Sequence, residues 1–453
     1  MSHDALVIAA DPDDTEATVP LTLAPAAPAH ESPIPPLIRR NTLLLAATQA
    51  FVGTGTQLVP TLGGIMIERL LGSLALAGLG TSLLYFARLL IAYPIGWVMD
   101  TYGRKVGLML GLVLSLIGAV GVGLAVAWGS FPVFVAGLLV FGIGVGAGQQ
   151  LRTAAADMYL PERRAEGLGY VLTGALLGAL GGPVLIGAAQ AGAGPLAFDS
   201  TALAWLLVPV VLVPSMALVL LIKPDPKEIA ADLGRFYPGY RRPAHAEQDI
   251  VLANGAGLWA WLAHYPLRVA FLAMFAAHGI MTMMMALTPL AMSHSGHALT
   301  MISVAVGLHV VGMYGLSLPL GRLADRVGRR NVILAGLAIL AFGTLLVPLT
   351  PDYWVATAGL AFVGVGWSCV NVAVTALIAD TVPAAERGRA VGVVDSFAGL
   401  ASIVLPLAGG PLVEVAGFTG LAMLGVALVV GPAVLAVRLS EPAPGQYAPS
   451  LPA

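Results

Sequence analysis

Residues 96–105 read Gly96-Trp97-Val98-Met99-Asp100-Thr101-Tyr102-Gly103-Arg104-Lys105, and residues 321–330 read Gly321-Arg322-Leu323-Ala324-Asp325-Arg326-Val327-Gly328-Arg329-Arg330. Glycine, aspartate, glycine and arginine fall at the same offsets, and the copies start 225 residues apart. Each is a short charged stretch between long apolar runs. A charged loop that recurs between hydrophobic helices marks two copies of one membrane module.

Composition supports that reading. Hydrophobic residues make up 58% of the 453 residues and charged residues 10%, against about 25% charged in a typical soluble domain. The mean hydropathy is +0.88. So little charge cannot solvate a soluble surface, and lipid is expected to cover most of it. A net charge of −2 gives no electrostatic case for nucleic acid. The single cysteine, Cys369, excludes an intrachain disulfide and a multi-thiolate metal site.

A bilayer-spanning helix needs about 20 mostly apolar residues. Twelve such runs are expected, at roughly 42–67, 74–99, 106–127, 132–156, 167–191 and 201–222, then 267–292, 300–321, 332–350, 354–378, 390–415 and 419–438. They are numbered here as spans one to twelve. The chain divides into a tail (1–40), a six-helix bundle (41–222), a polar linker (223–266), a second six-helix bundle (267–439) and a tail (440–453). The first tail is rich in Ala, Pro and acid and reads as disordered, its short apolar run Ala5–Ala10 ending too soon in acid for a signal peptide. Trp259, Trp261 and Tyr265 suit a helix at headgroup level at the end of the linker.

Cations set the orientation. With both termini in the cytoplasm, Arg39, Arg40, Arg104, Lys105, Arg163, Arg164, the linker cations, Arg322, Arg326, Arg329, Arg330, Arg387 and Arg389 are all cytoplasmic, and Arg69 alone falls in an outer loop. Arg88 and Arg152 fall inside spans. The repeat also runs further. Phe141-Gly142-Ile143-Gly144 is echoed by Val363-Gly364-Val365-Gly366, Asp157 by Asp380, and Gly181-Gly182-Pro183 by Gly409-Gly410-Pro411. Two six-helix repeats in register imply a pseudo-twofold axis along the membrane normal and a central cavity between the halves.

The duplicated pattern G-x3-D-x2-G-R-[KR] after spans two and eight resembles the major facilitator superfamily, over about residues 40–440. The resemblance implies an all-α fold of two pseudosymmetric six-helix bundles and a secondary transporter rather than an enzyme, working as a single copy in a bacterial-type inner membrane. It implies that the loops, through Gly96, Asp100, Gly103, Arg104, Gly321, Asp325, Gly328 and Arg329, latch the cytoplasmic side. Asp100 and Asp325 would then face the N-terminal ends of spans eleven and five, where a helix dipole attracts an anion.

Span five matches the family's antiporter motif G-x8-G-x3-G-P-x2-G-G at Gly169, Gly178, Gly182, Pro183 and Gly187, with Ile186 replacing one glycine. In the family this motif accompanies export. Physically, such glycines admit a neighbouring helix and the proline bends the span, which suits a switching helix and equally suits tight packing. Leu138 stands where family exporters often carry a span-four arginine, so a proton-linked role at that position is unsupported.

Ionisable groups inside a membrane are costly and tend to face cavities or partners. Arg88 in span two and Asp395 in span eleven are expected to approach each other, with Asp395 gaining and losing a proton as the halves rock; a static polar network is the alternative. His278 and His309 are further candidates for proton coupling. Met274, His278, Met281, Met285 and Met292 share one face of span seven. Three readings stay open for this stripe: transport of soft metal ions, an adaptable substrate wall, or packing. Gln49, Gln57, Asn371, Met281 and Met285 are the expected substrate contacts. So few charges disfavour sugar phosphates and dicarboxylates, which call for paired cations. No P-loop, H-E-x-x-H or G-x-S-x-G pattern occurs, so neither ATP, a zinc centre nor a nucleophile elbow is indicated. No cofactor is called for.

The expectation is therefore proton-coupled export of a small amphipathic or hydrophobic molecule. Its rivals are proton-coupled import of a neutral nutrient, metal export through the Met/His stripe, and a membrane receptor or scaffold that transports nothing.

Overall fold

A computed structural model describes residues 33–238, 240, 264–382 and 384–440. These residues form helices and no strands. Eleven helices are long and apolar enough to cross a membrane. Spans one to five are Pro36–Leu71, Leu79–Tyr102, Arg104–Trp128, Phe131–Asp157 and Arg164–Ala193, and span six is Ser200–Leu221. Spans seven to ten are Tyr265–His294, Leu299–Val327, Arg329–Leu346 and Tyr353–Thr381. The last helix, Arg387–Val437, has 51 residues and would be far too long for one crossing. Its backbone leaves helical geometry at Gly417 (φ 64°, ψ −173°), a conformation that glycine adopts without steric cost, so it supplies spans eleven (387–416) and twelve (418–437). The expected twelve spans are present.

Local chemistry sets the ends. Asp199 caps span six, its carboxylate accepting the N–H groups of Thr201 at 2.8 Å and Ala202 at 2.9 Å; Asp352 caps span ten in the same way. Both duplicated loops turn on their second glycine, Gly103 at φ 104° and Gly328 at φ 93°, with ψ 156° and 154°. Only glycine takes such φ values cheaply, which explains why it recurs at this offset. The repeat extends to charge. Arg104 binds Asp100 and Asp157, each at 2.9 Å, and Arg329 binds Asp325 and Asp380, each at 2.9 Å. The start of the linker is seated on the first loop, where the Asp225 carboxylate accepts the N–H groups of Arg104 and Lys105 at 3.0 Å, at the N-terminal end of span three.

Each half has its own apolar core. Ile65, Ala77 and Ala179 belong by sequence to the first half but pack in the core of the second. Ile65 and Ala77 lie toward the end of the molecule opposite the duplicated loops, hereafter the far end, and Ala179 lies midway along span five. The expected helix containing Trp259 and Trp261, most of both tails and most of the linker lie outside the described residues. Tyr265 opens span seven, its hydroxyl donating to the Leu435 carbonyl at 2.8 Å.

Candidate functional site

The halves meet closely at the far end. Spans two and eleven run backbone against backbone there: a Cβ at Gly78 would enter the Pro406 carbonyl, and one at Gly410 would enter the Ala75 carbonyl. Ser82 Oγ donates to the Ile403 carbonyl at 2.7 Å. Thr300 bonds Gln190, and His294 Nε2 lies 2.9 Å from Glu68, joining spans five and eight and spans one and seven. Along the same helices toward the loop end the contacts disappear. A Cβ at Gly96 in span two, Gly169 in span five, or Gly388, Gly392 and Gly399 in span eleven would meet open space. The loop-side segments of spans four and eight, 150–157 and 317–327, pack on elements of their own half. The two halves form a V that is closed at the far end and opens at the loop end.

A cleft of about 60 Å³ lies where the arms diverge, lined by Thr56, Gln57, Pro60, Thr81, Leu84, Tyr85, Arg88, Thr282 and Met285. Span eight leaves helical geometry at Leu316 (φ −100°, ψ 0°), whereas Gln57 in span one and Gln149 in span four keep helical φ and ψ. Interrupted helices near the midplane are how transporters expose polar groups to a substrate. The Arg88 guanidinium sits 5.0 Å from the centroid of the Tyr85 ring. From the same half, Arg152 reaches across to Tyr314 of the other, 5.8 Å from its ring. Tyr314 meets Trp367 edge-on at 5.8 Å, and Trp367 meets His278 at 5.1 Å. The two arginines lie within electrostatic reach of one another. Arg152 is the cation whose charge reaches Asp395, which is exposed on span eleven.

The Nε atoms of Arg88 and Arg152 and the Nε1 atom of Trp367 are buried without a hydrogen-bond partner. A buried unmet donor costs about 1–3 kcal/mol, more for a charged group. A cation–π contact returns about 0.5–2 kcal/mol and leaves the N–H group unbonded. Of these donors Arg88 lines the cleft, and Arg152 and Trp367 flank Tyr314.

Sequence comparison matches the Major Facilitator Superfamily over residues 43–286 and again over 269–451, one match to each half. The chain belongs to this superfamily. It is a multi-pass membrane transporter. Among its superfamily relatives are the Bacillus subtilis transporter YddS, 28% identical over 86% of this chain and 89% of that one, and the Brucella anthropi riboflavin transporter RfnT, 26% identical over 79% of this chain and 85% of that one. The solved inward-open conformation of the xylose transporter XylE from E. coli superposes with a TM-score of 0.65 at 15% identity, over 87% of this chain and 95% of that chain. That likeness concerns the fold.

Against this frame the expected site residues separate. Gln57 and Met285 line the cleft. Gln49 is buried with its Oε1 unpaired, and Met281 lies in the core of the second half. Asn371 is half-buried on span ten, its carbonyl accepting the Thr375 hydroxyl. Met274, Met281, Met283, Met284 and Met292 are spent on packing, so the span-seven stripe faces core along most of its length. His309 is fully buried, its Nδ1 within 2.6 Å of the Leu360 carbonyl. In span five Gly178 packs against the Ala50 carbonyl of span one, while Gly182 lies between Gln57 and Ser303 of the other half. Pro183 is inside the helix, and a Cβ at Gly187 would approach only Thr300, at 3.9 Å.

Two expectations are corrected. Arg88 and Asp395 form no ion pair among the described residues: Arg88 turns to Tyr85, one turn earlier on its own helix, and Arg152 is the cation whose charge reaches Asp395. Asp100 and Asp325 do not face spans eleven and five; their side chains are 70% and 68% exposed and bind the arginine of their own loop, because the arms stand apart at this end. Tyr85, Tyr314 and Trp367 went unmarked in the sequence. For Tyr314 and Trp367 the signal was position, since membrane Tyr and Trp favour the interfaces and these two lie midway along their spans.

Proposed function

We propose that the chain drives a small amphipathic molecule out of the cell against an inward flow of protons, by alternating access between its two halves. The cleft at the vertex of the V, open at one end only, is the observation that carries this reading. The excess of Lys and Arg at the loop end supports placing that end, and both termini, in the cytoplasm. In that orientation this conformation loads from the cytoplasm. Asp395, on the open side and within electrostatic reach of Arg152, is the acid we assign to the proton. In this reading Asp395 gives up its proton before the substrate loads, so that proton and substrate exclude one another as antiport requires. The glycine face of span five, against span one on one side and span eight on the other, suits the helix about which the arms rock.

Import of a neutral nutrient with a proton is the second reading. The riboflavin transporter among the relatives favours it. Everted vesicles acidified inside separate the two. Riboflavin, 2-naphthoate and ethidium are added outside while internal pH is followed. Under antiport a transported compound discharges the internal acid. Under symport the same compound, added to unenergised vesicles, acidifies the interior. Asp395→Asn abolishes either signal if Asp395 carries the proton. A wild-type response that survives Asp395→Asn removes that assignment, and no proton movement with any compound removes proton coupling.

A further inference from the structure

The region between the halves, from the cleft at Arg88 to Arg152 beside Tyr314, carries more cationic and donor character than its sequence suggested. Arg88 and Arg152 come from spans two and four of one half, and no carboxylate forms an ion pair with either among the described residues. Their Nε–H groups and the indole N–H of Trp367 are buried and unbonded. All three are donors. Trp367 is only 6% exposed, so bulk water does not readily meet its N–H. Buried donors without protein partners point to a ligand or ordered water that supplies acceptors. The aromatic rings are arranged around the same groups. Tyr85 lies under Arg88, Tyr314 under Arg152, and Trp367 stands edge-on to Tyr314.

We propose that this region, from the cleft to Arg152, binds a flat aromatic molecule carrying one negative charge, as an aromatic carboxylate does. Planar guanidinium groups match a carboxylate bidentately. The faces of Tyr85 and Tyr314, with Met285 on the cleft wall, suit an aromatic body. The charge count follows from the three ionisable neighbours. Arg88 and Arg152 supply two positive charges and Asp395 one negative, leaving a single positive charge for the ligand to meet. A dianion would exceed it and a cation would be repelled. The titratable groups facing the site are Asp395 on span eleven and Tyr85, Tyr314 and His278 on spans two, eight and seven.

This inference rests on the cleft being the substrate site of the proposed transporter, and its test is a binding measurement that does not depend on transport. The purified full chain in detergent is titrated with 2-naphthoate, with the uncharged 2-naphthamide, with riboflavin and with the cation tryptamine, following tryptophan fluorescence and melting temperature. Naphthoate is expected to bind at least tenfold more tightly than the other three. Arg88→Gln and Arg152→Gln should each weaken it at least tenfold, and Arg152→Lys should recover part of the loss. Melting of the ligand-free variants controls for folding; if either Gln variant fails to fold, the corresponding Lys variant carries the comparison, since it keeps the charge and loses the planar fork. Equal binding of naphthamide or riboflavin, unchanged affinity in the arginine variants, or no naphthoate binding overturns the proposal. In those cases a proton signal with another compound in everted vesicles still leaves the transporter reading standing, whereas naphthoate binding without any transport removes that reading and keeps the site.

Discussion

The two ends of the molecule spend similar residues on opposite tasks. At the far end, glycines bring spans two and eleven into backbone contact, and polar side chains of one half bond the other. At the loop end, glycines of the same helices face open space, and the charged groups close on their own half. The strongest ion pairs therefore staple each half as a unit, while the junction between halves consists of small residues and single hydrogen bonds. A two-body device needs that division: rigid arms and a separable seam.

The largest effect is expected where the seam is tightest. Gly78→Ala places a methyl in the Pro406 carbonyl. Overpacking of this kind costs about 1–3 kcal/mol, or roughly 5–150-fold in a two-state balance. Because the clash exists only while the far end is shut, it should favour the opposite conformation and slow labelling of Ser396→Cys from the loop end by an impermeant thiol reagent. Cys369 is buried and gives little background. Gly174→Ala meets the Ala46 carbonyl within one half; it should lower the melting temperature and leave the labelling rate alone. If both variants act alike, the division between seam and arm fails.

Next come the staples. Asp157 is mostly buried against Arg104, whereas Asp100 is 70% exposed. Losing a charged, half-buried hydrogen bond costs about 1.5–3 kcal/mol, and an exposed ion pair less than about 1 kcal/mol. Asp157→Asn should therefore lower the melting temperature clearly and Asp100→Asn hardly at all. Asp100→Asn is expected to change the Ser396→Cys labelling rate instead, if the loop latches the cytoplasmic side once the arms close. An unchanged rate would leave the loop a structural staple only.

Glu68→Gln weakens the single clasp to His294 at the seam. A shift of under about 1 kcal/mol toward the far-open state is expected, readable as a small fall in the same labelling rate. Smallest in its effect on the balance is Asp199→Ala, which removes the cap of span six without touching the other half. Burial tends to raise the Asp199 pKa, but the Thr201 hydroxyl, the N–H groups of Ala202 and Thr201, and Arg69 outweigh it and hold it below the usual carboxylate value. A lowered folded pKa stabilises the protein above the ordinary value near ~3.9 and loses that contribution as pH falls through the folded value. Asp199→Ala should cost about 1 kcal/mol at neutral pH, with the difference from wild type narrowing in acid and the labelling rate unchanged.

The architecture was readable because it is written in period and duplication. Apolar runs long enough to span, a charged loop repeated at fixed offsets and a Lys/Arg bias all survive without coordinates. What escaped depended on helix rotation and depth. Arg88 had two routes for its charge, and a linear sequence does not show that Tyr85 lies on the same face while the charge of Arg152 is the one that reaches Asp395. The methionine face of span seven was equally periodic whether it met lipid, cavity or core, and most of it met core. Arg152 was visible as an intramembrane cation, but only the fold brings it within electrostatic reach of Arg88. The orientation of Asp100 and Asp325 depends on which end of the V is open, which no sequence pattern records.

The central claim is that the seam and the loop end move in opposite senses. Spin-label distances in lipid nanodiscs test it most directly, with Leu71→Cys and Ser295→Cys reporting the far end and Thr101→Cys and Gly388→Cys the loop end, each pair with and without Gly78→Ala. The account predicts a short far-end and a long loop-end distance without Gly78→Ala, and with it a longer far-end and a shorter loop-end distance. A far-end distance that lengthens while the loop-end distance stays fixed or lengthens too would contradict it.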